Sequence, residues 1–386
     1  MTHVLGYDPL EPLRSAAAKR AAAGLRASVA PRTAGGDELV DLASDDYLGL
    51  ARDGRITVAA ATAAQTWGAG ATGPRVATGS TDLHTRLEEE LAAFLNQRAA
   101  LTFSSGYLAD LGVIATLAGP DALVAIDESV PPALLDAARL SGARLAIFAD
   151  LDGAATALAG REEPAALLVT ASVYPLDGAE APLRQLHRLA HQHGALLVVD
   201  ESHALGVVGD GGSGAVATAG LAGFPEVVVT ASLGKALGSQ GGLVAGAPEV
   251  IETLVDACPV FASDTALAPA SAGAALAALG VLRDEPWLAA RARAHAARIA
   301  AAAAERGLAV TTPFAAVVGL PLGTTRDALR ATEACAAYGV RAGCVRPPAV
   351  PSARSGLRLS ARADLTDPDL KAVGRALSAV RTTVGG

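Results

Sequence analysis

The chain has few cysteines and no uncharged apolar run with the length or bulk of a membrane span. Its three cysteines, Cys258, Cys335 and Cys344, are an odd number at unrelated spacings. This usage argues against a disulfide framework and a zinc site, and indicates a reducing compartment. The apolar stretch 270–282 is too short and too rich in alanine to cross a bilayer. The N-terminus has early acids and prolines and does not resemble a signal peptide. We therefore expect a soluble cytoplasmic protein that does not bind membranes.

The sequence also lacks a basic run and is poor in aromatic residues. Its 31 Lys and Arg residues against 39 Asp and Glu residues give a net charge of −8. Nucleic acids and anionic membranes bind basic surfaces, so neither is expected as a partner. Aromatic residues make up 3% of the chain and hydrophobic residues 51%, many of them alanine. We expect a core of Ala, Leu and Val in a chain long enough for two or three domains.

Strand-like apolar runs alternate with helical segments in the middle of the chain. Strands are predicted at residues 99–103, 122–126, 145–148, 165–170, 195–199, 227–230 and 243–245, with helices at 107–117, 133–140 and 183–193. This alternation is typical of an α/β fold with a doubly wound, mostly parallel sheet.

The flanking regions differ in pattern from this central region. Helices are predicted at residues 12–29, 59–67 and 81–95, a strand at 39–42, and a turn at Gly35 and Gly36. After an alanine-rich helical region at 267–306, the pattern indicates a smaller C-terminal α+β domain. We predict an N-terminal helical segment at 1–44, a large domain at 45–275 and a small domain at 276–386.

One short strand leads directly to a lysine. The β-branched run 227–230 is followed by Lys235 and by a turn with Gly238, Gly241 and Gly242. Ligands of open α/β folds bind outside the carboxyl ends of the strands, where this amine is expected. On this stretch alone, a solvated surface lysine is an equally good interpretation.

A second apolar strand runs into Asp200, and His203 follows three residues later. A carboxylate at the end of a buried strand is costly unless a cation or several donors meet it, although an Asp that caps the next loop is common. With Lys235, the three residues supply what pyridoxal phosphate requires: a lysine for covalent attachment, a carboxylate for the ring nitrogen, and a donor for the ring oxygen. We therefore predict pyridoxal phosphate as the cofactor.

Two further segments are typical of binding sites. The Gly/Thr/Pro segment 68–80 is longer than an ordinary connection. Ser105 and Gly106 precede a predicted helix whose first amides would bind an anion, although a plain N-cap explains them equally.

The stretch 209–214 matches the GxGxxG motif but follows a loop rather than a strand, so we reject it as a dinucleotide-binding site. We also predict no metal site.

Seven blocks, in order along nearly the whole chain, recur in one known family. They are DDYLGL at 45–50, GATGPRVATGSTDLHTRLEEELAAF at 70–94, FSSGY at 103–107, VYPLDGAEAPL at 173–183, VVDESHALGVVGDGGSG at 198–214, TASLGKALGSQGG at 230–242, and PPAVP with LRLSA within 347–361. In these blocks the chain resembles the α-oxoamine synthases, which include 8-amino-7-oxononanoate synthase and 2-amino-3-ketobutyrate CoA ligase. These are fold-type I pyridoxal-phosphate enzymes related in fold to aspartate aminotransferase.

The resemblance implies an architecture and a set of residue roles. A large domain would contain a mostly parallel seven-stranded sheet, and a smaller α+β domain would follow. The protein would be a homodimer with active sites at the interface, where residues 70–79 reach across. The implied catalytic residues are Lys235, Asp200 and His203. The implied cofactor-binding residues are these three together with Ser105, Gly106, Tyr107 and Ser232. The implied substrate-binding residues are Asp45 and Arg358, of which Arg358 would bind the substrate carboxylate.

Several positions depart from the family pattern. Pro131 stands where the family has a histidine stacked on the cofactor ring, and Asp45 stands in place of an asparagine. Gly356 replaces the first arginine of the family's C-terminal RLR motif, and Leu365 replaces a nearby histidine. Pro175 and Leu176 replace a Ser-Met pair. The cofactor anchors are therefore kept while substrate-side positions have changed.

The resemblance implies a transferase that condenses an amino acid with an acyl thioester of CoA or of a carrier protein, with release of CO2 and the thiol. An alternative is another pyridoxal-phosphate reaction on the same scaffold, such as aldol cleavage, decarboxylation, racemisation or transamination, in specialised biosynthesis. A third hypothesis is a non-catalytic paralogue that stabilises a partner subunit. The retention of Lys235, Asp200 and His203 argues against it, because a scaffold needs no electron sink.

Overall fold

The structure is a computed structural model that describes residues 8–27, 29, 31–34, 39–350 and 352–384. The predicted turn at Gly35 and Gly36 lies outside these residues. The chain runs through α1 (Glu11–Ala22), β1 (Val40–Leu42), α2 (Gly54–Trp67) and α3 (Asp82–Phe94) before the large sheet. The first helix is shorter than the predicted 12–29 because Gly24 adopts a positive φ of 67°, which ends a right-handed helix.

The large sheet contains seven strands. They are β2 (Ala99–Phe103), β3 (Ala122–Asp127), β4 (Arg144–Phe148), β5 (Ala165–Ala171), β6 (Leu196–Asp200), β7 (Val227–Ser232) and β8 (Gly242–Gly246). Their order is β2-β8-β7-β6-β5-β3-β4, and β8 alone runs antiparallel to its neighbours. The prediction of a mostly parallel seven-stranded sheet is confirmed.

Helices that follow the strands along the chain cover the large sheet. They are α4 (Gly106–Leu117), α5 (Pro132–Leu140), α6 (Leu151–Ala159), α7 (Leu183–Gln192), α8 (Ala215–Thr218), α9 (Pro248–Ala257) and α10 (Pro259–Ser263). Because both faces are covered, the central strands are apolar up to the polar residues near their carboxyl ends, and β3 is buried along its whole length. The parallel strands β5, β6 and β7 end at one edge, which is where the candidate site lies.

A four-stranded sheet forms from the two ends of the chain. After α11 (Pro269–Asp284) and α12 (Trp287–Ala304) come β9 (Val317–Pro321), α13 (Thr325–Ala337), β10 (Val340–Val345), β11 (Gly356–Ser360) and α14 (Asp367–Val384). The sheet order is β1-β10-β11-β9, with β1 parallel to β10. The predicted boundary between residues 275 and 276 falls within α11, and the division into domains stays a prediction.

The long segment 68–80 is held in place by Arg75. The guanidinium of Arg75 pairs with Glu88 on α3 at 2.6 Å and donates to the hydroxyl of Thr102 on β2 at 2.8 Å. The Arg75 side chain is 8% exposed and that of Glu88 13%. A largely buried ion pair therefore fixes the segment to α3, and the hydrogen bond to Thr102 fixes it to the large sheet. Within the part of the chain that the structure describes, no helix combines the length and apolar character needed to span a membrane.

Candidate active site

Lys235 and His203 meet at the carboxyl edge of the large sheet. The Nζ atom of Lys235 lies 3.1 Å from Nε2 of His203. Asp200 ends β6 and pairs in register with Thr230 on β7. His203 and Lys235 each follow their strand by three residues, so the parallel strands deliver both side chains to one place.

Asp200 faces the same place from the end of β6. Its side chain is buried, and its Oδ1 accepts a hydrogen bond from the Ser202 amide at 2.7 Å. Burial lowers the pKa of Lys235, and the nearby carboxylate of Asp200 opposes but does not cancel that shift. The lowered pKa favours the neutral amine, which is the form that attacks a carbonyl carbon.

Tyr47 determines which nitrogen of His203 carries a hydrogen. The fully buried Tyr47 hydroxyl lies 2.6 Å from Nδ1 of His203 and accepts from Nη2 of Arg358 at 3.1 Å. Burial raises the pKa of Tyr47, so the hydroxyl keeps its proton, and its other acceptor, Asp45 Oδ1, is farther away at 3.3 Å. Burial also lowers the pKa of His203 well below its usual range, so the ring is neutral. With Tyr47 donating to Nδ1, the ring hydrogen lies on Nε2 and points toward Lys235.

Arg358 and Asp45 form an ion pair beside this group. Nη1 of Arg358 donates to Asp45 Oδ1 at 2.7 Å, and Nε donates to the carbonyl of Pro175 at 2.6 Å. Burial raises the pKa of Asp45, but Arg358 and then Lys235 outweigh it, and the pKa is lowered overall. The pKa of Arg358 is raised, since Tyr47 and Asp45 outweigh burial. Both groups are therefore charged.

Ser105, Gly106 and Ser232 adjoin one another at the start of α4. Ser105 caps this helix by accepting from the Leu108 amide at 3.2 Å. A Cβ on Gly106 would lie 3.1 Å from Cβ of Ser232, so glycine allows the helix N-terminus to approach the end of β7 closely. Helix amides and serine hydroxyls at one point form a site for an anion such as a phosphate.

Tyr107 lies at the surface rather than in this anion site. Its side chain is 46% exposed, and its hydroxyl donates to Asp136 on α5 at 3.2 Å. The backbone amide of Tyr107 lies in the first turn of α4 and is available to an anion at the helix N-terminus. Its role as a phosphate-binding residue stays a prediction.

Sequence reasoning missed Asp110, a buried carboxyl near Asp200. Its Oδ1 accepts from the Thr230 hydroxyl at 2.6 Å. Burial, and then the charge of Asp200, raise the pKa of Asp110 well above its usual range, which favours the uncharged form. The available signal was a single acid within the otherwise apolar helix α4. Tyr47 was also missed, although it stands in the DDYLGL block.

The structure shows the surroundings of Pro131 and Gly356, two of the departures from the family pattern. Pro131 directly precedes α5, on a segment held at the carboxyl edge of the sheet because Asp127 accepts from the Tyr174 hydroxyl at 2.7 Å. At Gly356, a Cβ would lie 2.2 Å from the Leu320 carbonyl oxygen. The close pairing of β11 with β9 thus excludes a side chain at position 356.

These groups fit pyridoxal phosphate. A half-buried amine, a buried carboxylate, an imidazole N–H and an anion-binding helix N-terminus lie at one edge of the sheet. Among the described residues, no group of three or more His, Cys, Asp or Glu side chains is arranged to hold a metal ion.

Comparisons with known proteins agree with this chemistry. The model of the aminotransferase class I and II family matches residues 37–377. The 8-amino-7-oxononanoate synthase of Mycobacterium sp. (strain JLS) is 50% identical over 379 residues, covering 98% of each chain. That of Mycolicibacterium vanbaalenii is 48% identical over 382 residues, covering 98% of this chain and 99% of the relative. A serine palmitoyltransferase structure from S. paucimobilis superposes with a TM-score of 0.90 at 26% identity, covering 98% of this chain and all of that one. The predicted fold class, family resemblance, cofactor and enzymatic nature are confirmed.

Proposed function

The chain belongs to the aminotransferase class I and II family, and we propose that it is an acyltransferase of the α-oxoamine synthase type that makes an 8-amino-7-oxononanoate-like product. The observation that carries this proposal is the 50% identity with an 8-amino-7-oxononanoate synthase over 98% of both chains. Such coverage includes both sheets and every residue of the candidate site. The cofactor of the reaction is pyridoxal phosphate.

The structure of that product identifies the substrates. In 8-amino-7-oxononanoate, the amine-bearing carbon and its methyl group correspond to alanine without its carboxylate. The remaining chain corresponds to the heptanedioyl group of a thioester. The reaction breaks the bond from Cα to the carboxylate and the C–S bond of the thioester, and forms the bond from Cα to the acyl carbon. CO2 and the thiol leave, and one proton is taken up.

The chain's own residues divide this work. When bound, pyridoxal phosphate supplies an electron-withdrawing ring that accepts the electrons released at the amino acid's Cα. Lys235 would hold the cofactor covalently, Asp200 would pair with the ring nitrogen, and His203 would donate from Nε2 to the ring oxygen. Ser105, Gly106, Ser232 and the amide of Tyr107 would hold the phosphate. Arg358 would bind the substrate carboxylate.

The experiment is amino-acid-dependent thiol release by the purified holoprotein. We expect heptanedioyl-CoA and L-alanine together to give free CoA and CO2 in equal amounts, and neither substrate alone to do so. Lys235→Ala should show no release, whereas Lys371→Ala on α14 should match the wild type. Thiol release without CO2, or no release with any amino acid, would contradict the proposal.

A second candidate is a different pyridoxal-phosphate reaction on the same scaffold. It is favoured by Pro131, which cannot stack on the ring or transfer a proton as a histidine can, and by the Asp45–Arg358 ion pair. In that case an amino acid would change the visible spectrum of the holoprotein without releasing CoA from any acyl thioester. The same assay therefore separates the two candidates.

We also propose a homodimer, supported by exposed apolar side chains on segment 68–80 and at the start of α4. Val76 in segment 68–80 is 54% exposed and Tyr107 is 46% exposed. Light scattering on the holoprotein as it elutes from a size-exclusion column should give twice the chain mass of 38.4 kDa. A monomer would contradict the proposal. A cytoplasmic location stays a prediction.

A further inference from the structure

Asp45 places a carboxylate on the guanidinium that the proposed function assigns to the substrate. We propose that Asp45 is a specificity-determining residue: it competes with the α-carboxylate of the amino acid for Arg358 and so reduces the site's preference for free amino acids over their neutral amides. This inference rests on the proposed function, because it concerns the carboxylate that Arg358 would bind.

The hydrogen-bond inventory of Arg358 supports the competition. Nη1 donates to Asp45 at 2.7 Å, Nη2 to Tyr47 at 3.1 Å, and Nε to the Pro175 carbonyl at 2.6 Å. Each of the three guanidinium nitrogens already has a protein acceptor. A guanidinium has five N–H groups, and three of those on Arg358 already have acceptors. A bidentate carboxylate either uses the remaining two and shares the guanidinium with Asp45, or displaces one of the present acceptors.

Asp45 is itself held in place. Its Oδ1 accepts from the Ser360 hydroxyl at 3.1 Å as well as from Arg358. Tyr47, the other side chain near this oxygen, is completely buried, and its hydroxyl lies 3.3 Å from Asp45 Oδ1. Asp45 therefore does not swing away freely when a substrate enters, and the incoming carboxylate meets an existing negative charge.

The charges explain why the effect depends on the substrate's carboxylate. The side chains of Arg358 and Asp45 are 16% and 28% exposed, so the pair is only partly screened by water. A carboxylate arriving there is attracted by Arg358 and repelled by Asp45, whereas a neutral amide experiences little of either. Asparagine has the same shape as aspartate and can accept the same hydrogen bonds, but it has no charge.

The experiment compares two ligands with two proteins. L-alanine and L-alaninamide are titrated into wild-type and Asp45→Asn holoprotein, and Kd is obtained from the change in visible absorbance. Each Kd is calculated from the concentration of ligand whose amine is neutral at the assay pH. Because both ligands react through the same amine, any effect of Asp45 on Lys235 cancels in their ratio. We expect Asp45→Asn to lower Kd for alanine about tenfold or more and Kd for alaninamide less than about threefold.

A matched control is Asp364→Asn. Asp364 is paired with Arg362 at 2.8 Å, and its side chain is 46% exposed. The substitution Asp364→Asn therefore removes an arginine-paired carboxylate that lies outside the site. It should leave both dissociation constants unchanged. An equal change for the two ligands in Asp45→Asn, or no change for either, would overturn the proposal.

The wild type alone gives a second test should Asp45→Asn fail to fold. We expect its Kd values for alanine and alaninamide to agree within about threefold, because the ion pair is close to neutral. A preference for alanine of about tenfold or more would mean that Arg358 is free, and would overturn the proposal. Failure of the proposed function gives a different result: no variant releases thiol, while the ratio of the two dissociation constants can still be measured.

Discussion

The 3.1 Å contact between Nζ of Lys235 and Nε2 of His203 is the end of a hydrogen-bonded chain that begins on the small sheet. Arg358 on β11 donates to the Tyr47 hydroxyl, and Tyr47 lies 2.6 Å from Nδ1 of His203. The group that would bind the substrate's carboxylate is thus connected to the group that would carry the cofactor. The orientation of His203 follows from Tyr47, since burial of both rings favours a neutral imidazole and a protonated phenol.

Asp200→Asn should retain the cofactor but slow thiol release by about 100-fold or more. The amide has no negative charge to keep the ring nitrogen protonated, so the ring accepts electrons less well. The measurement is the initial rate per bound cofactor. Asp210→Asn, in an exposed turn ten residues later, is the control and should behave as the wild type. A wild-type rate in Asp200→Asn would show that Asp200 does not face the ring nitrogen.

Glu201 should make the stability of the fold depend on pH. It is completely buried, its Oε1 accepts from two backbone amides of α8, and its Oε2 has no partner among the described residues. Burial raises the pKa of Glu201 to about 7 from an ordinary value of 4.5. The folded state therefore holds a proton that the unfolded state releases. This stabilisation is complete below pH of about 4.5 and is lost as pH rises through about 7.

The comparison of wild type with Glu201→Gln isolates this effect. Between pH of about 4.5 and 8, the wild type should lose up to about 3 kcal/mol more unfolding free energy than the variant, because glutamine does not titrate. Urea unfolding of both holoproteins at several pH values measures the difference. Other buried acids such as Asp110 titrate in both proteins and cancel. Parallel stability curves would show that Glu201 is ionised throughout this range.

Pro131→His should leave the cofactor content unchanged. The proline precedes α5, and the bond from the Leu134 amide to its carbonyl at 3.1 Å uses only backbone atoms that histidine also has. The cofactor would still be held by Lys235, Asp200 and the anion site. Cofactor content per chain, measured after release in alkali, checks this. Loss of cofactor would contradict the alignment of Pro131 with the ring-stacking position.

The large sheet could be predicted from the sequence because its strands are apolar on both faces and end at polar residues. Asp200 and Lys235 were found for the same reason. Helix α6 was not predicted, since its start, Asp150-Leu151-Asp152-Gly153, reads as a turn; in the structure Asp150 caps the helix by accepting from the Gly153 amide at 2.8 Å.

The contacts that complete the candidate site could not be predicted from spacing. The 2.6 Å contact of Tyr47 with His203 joins residues 156 positions apart, and the bond of Arg358 to the Pro175 carbonyl joins residues 183 positions apart. Such contacts depend on how the small sheet packs against the large one. The sequence identified Asp45 and Arg358 separately, but their pairing is a property of the folded chain.

The covalent attachment of the cofactor to Lys235 is tested most directly by locating that bond. The chain has three lysines, Lys19, Lys235 and Lys371, so the possible attachment sites are few. The holoprotein is reduced with borohydride, digested and mapped by mass spectrometry. We predict that the cofactor's mass lies on the peptide that contains Lys235, and that Lys235→Ala has no labelled peptide. Label on Lys19 or Lys371, or a reduced holoprotein with no label, would contradict this prediction.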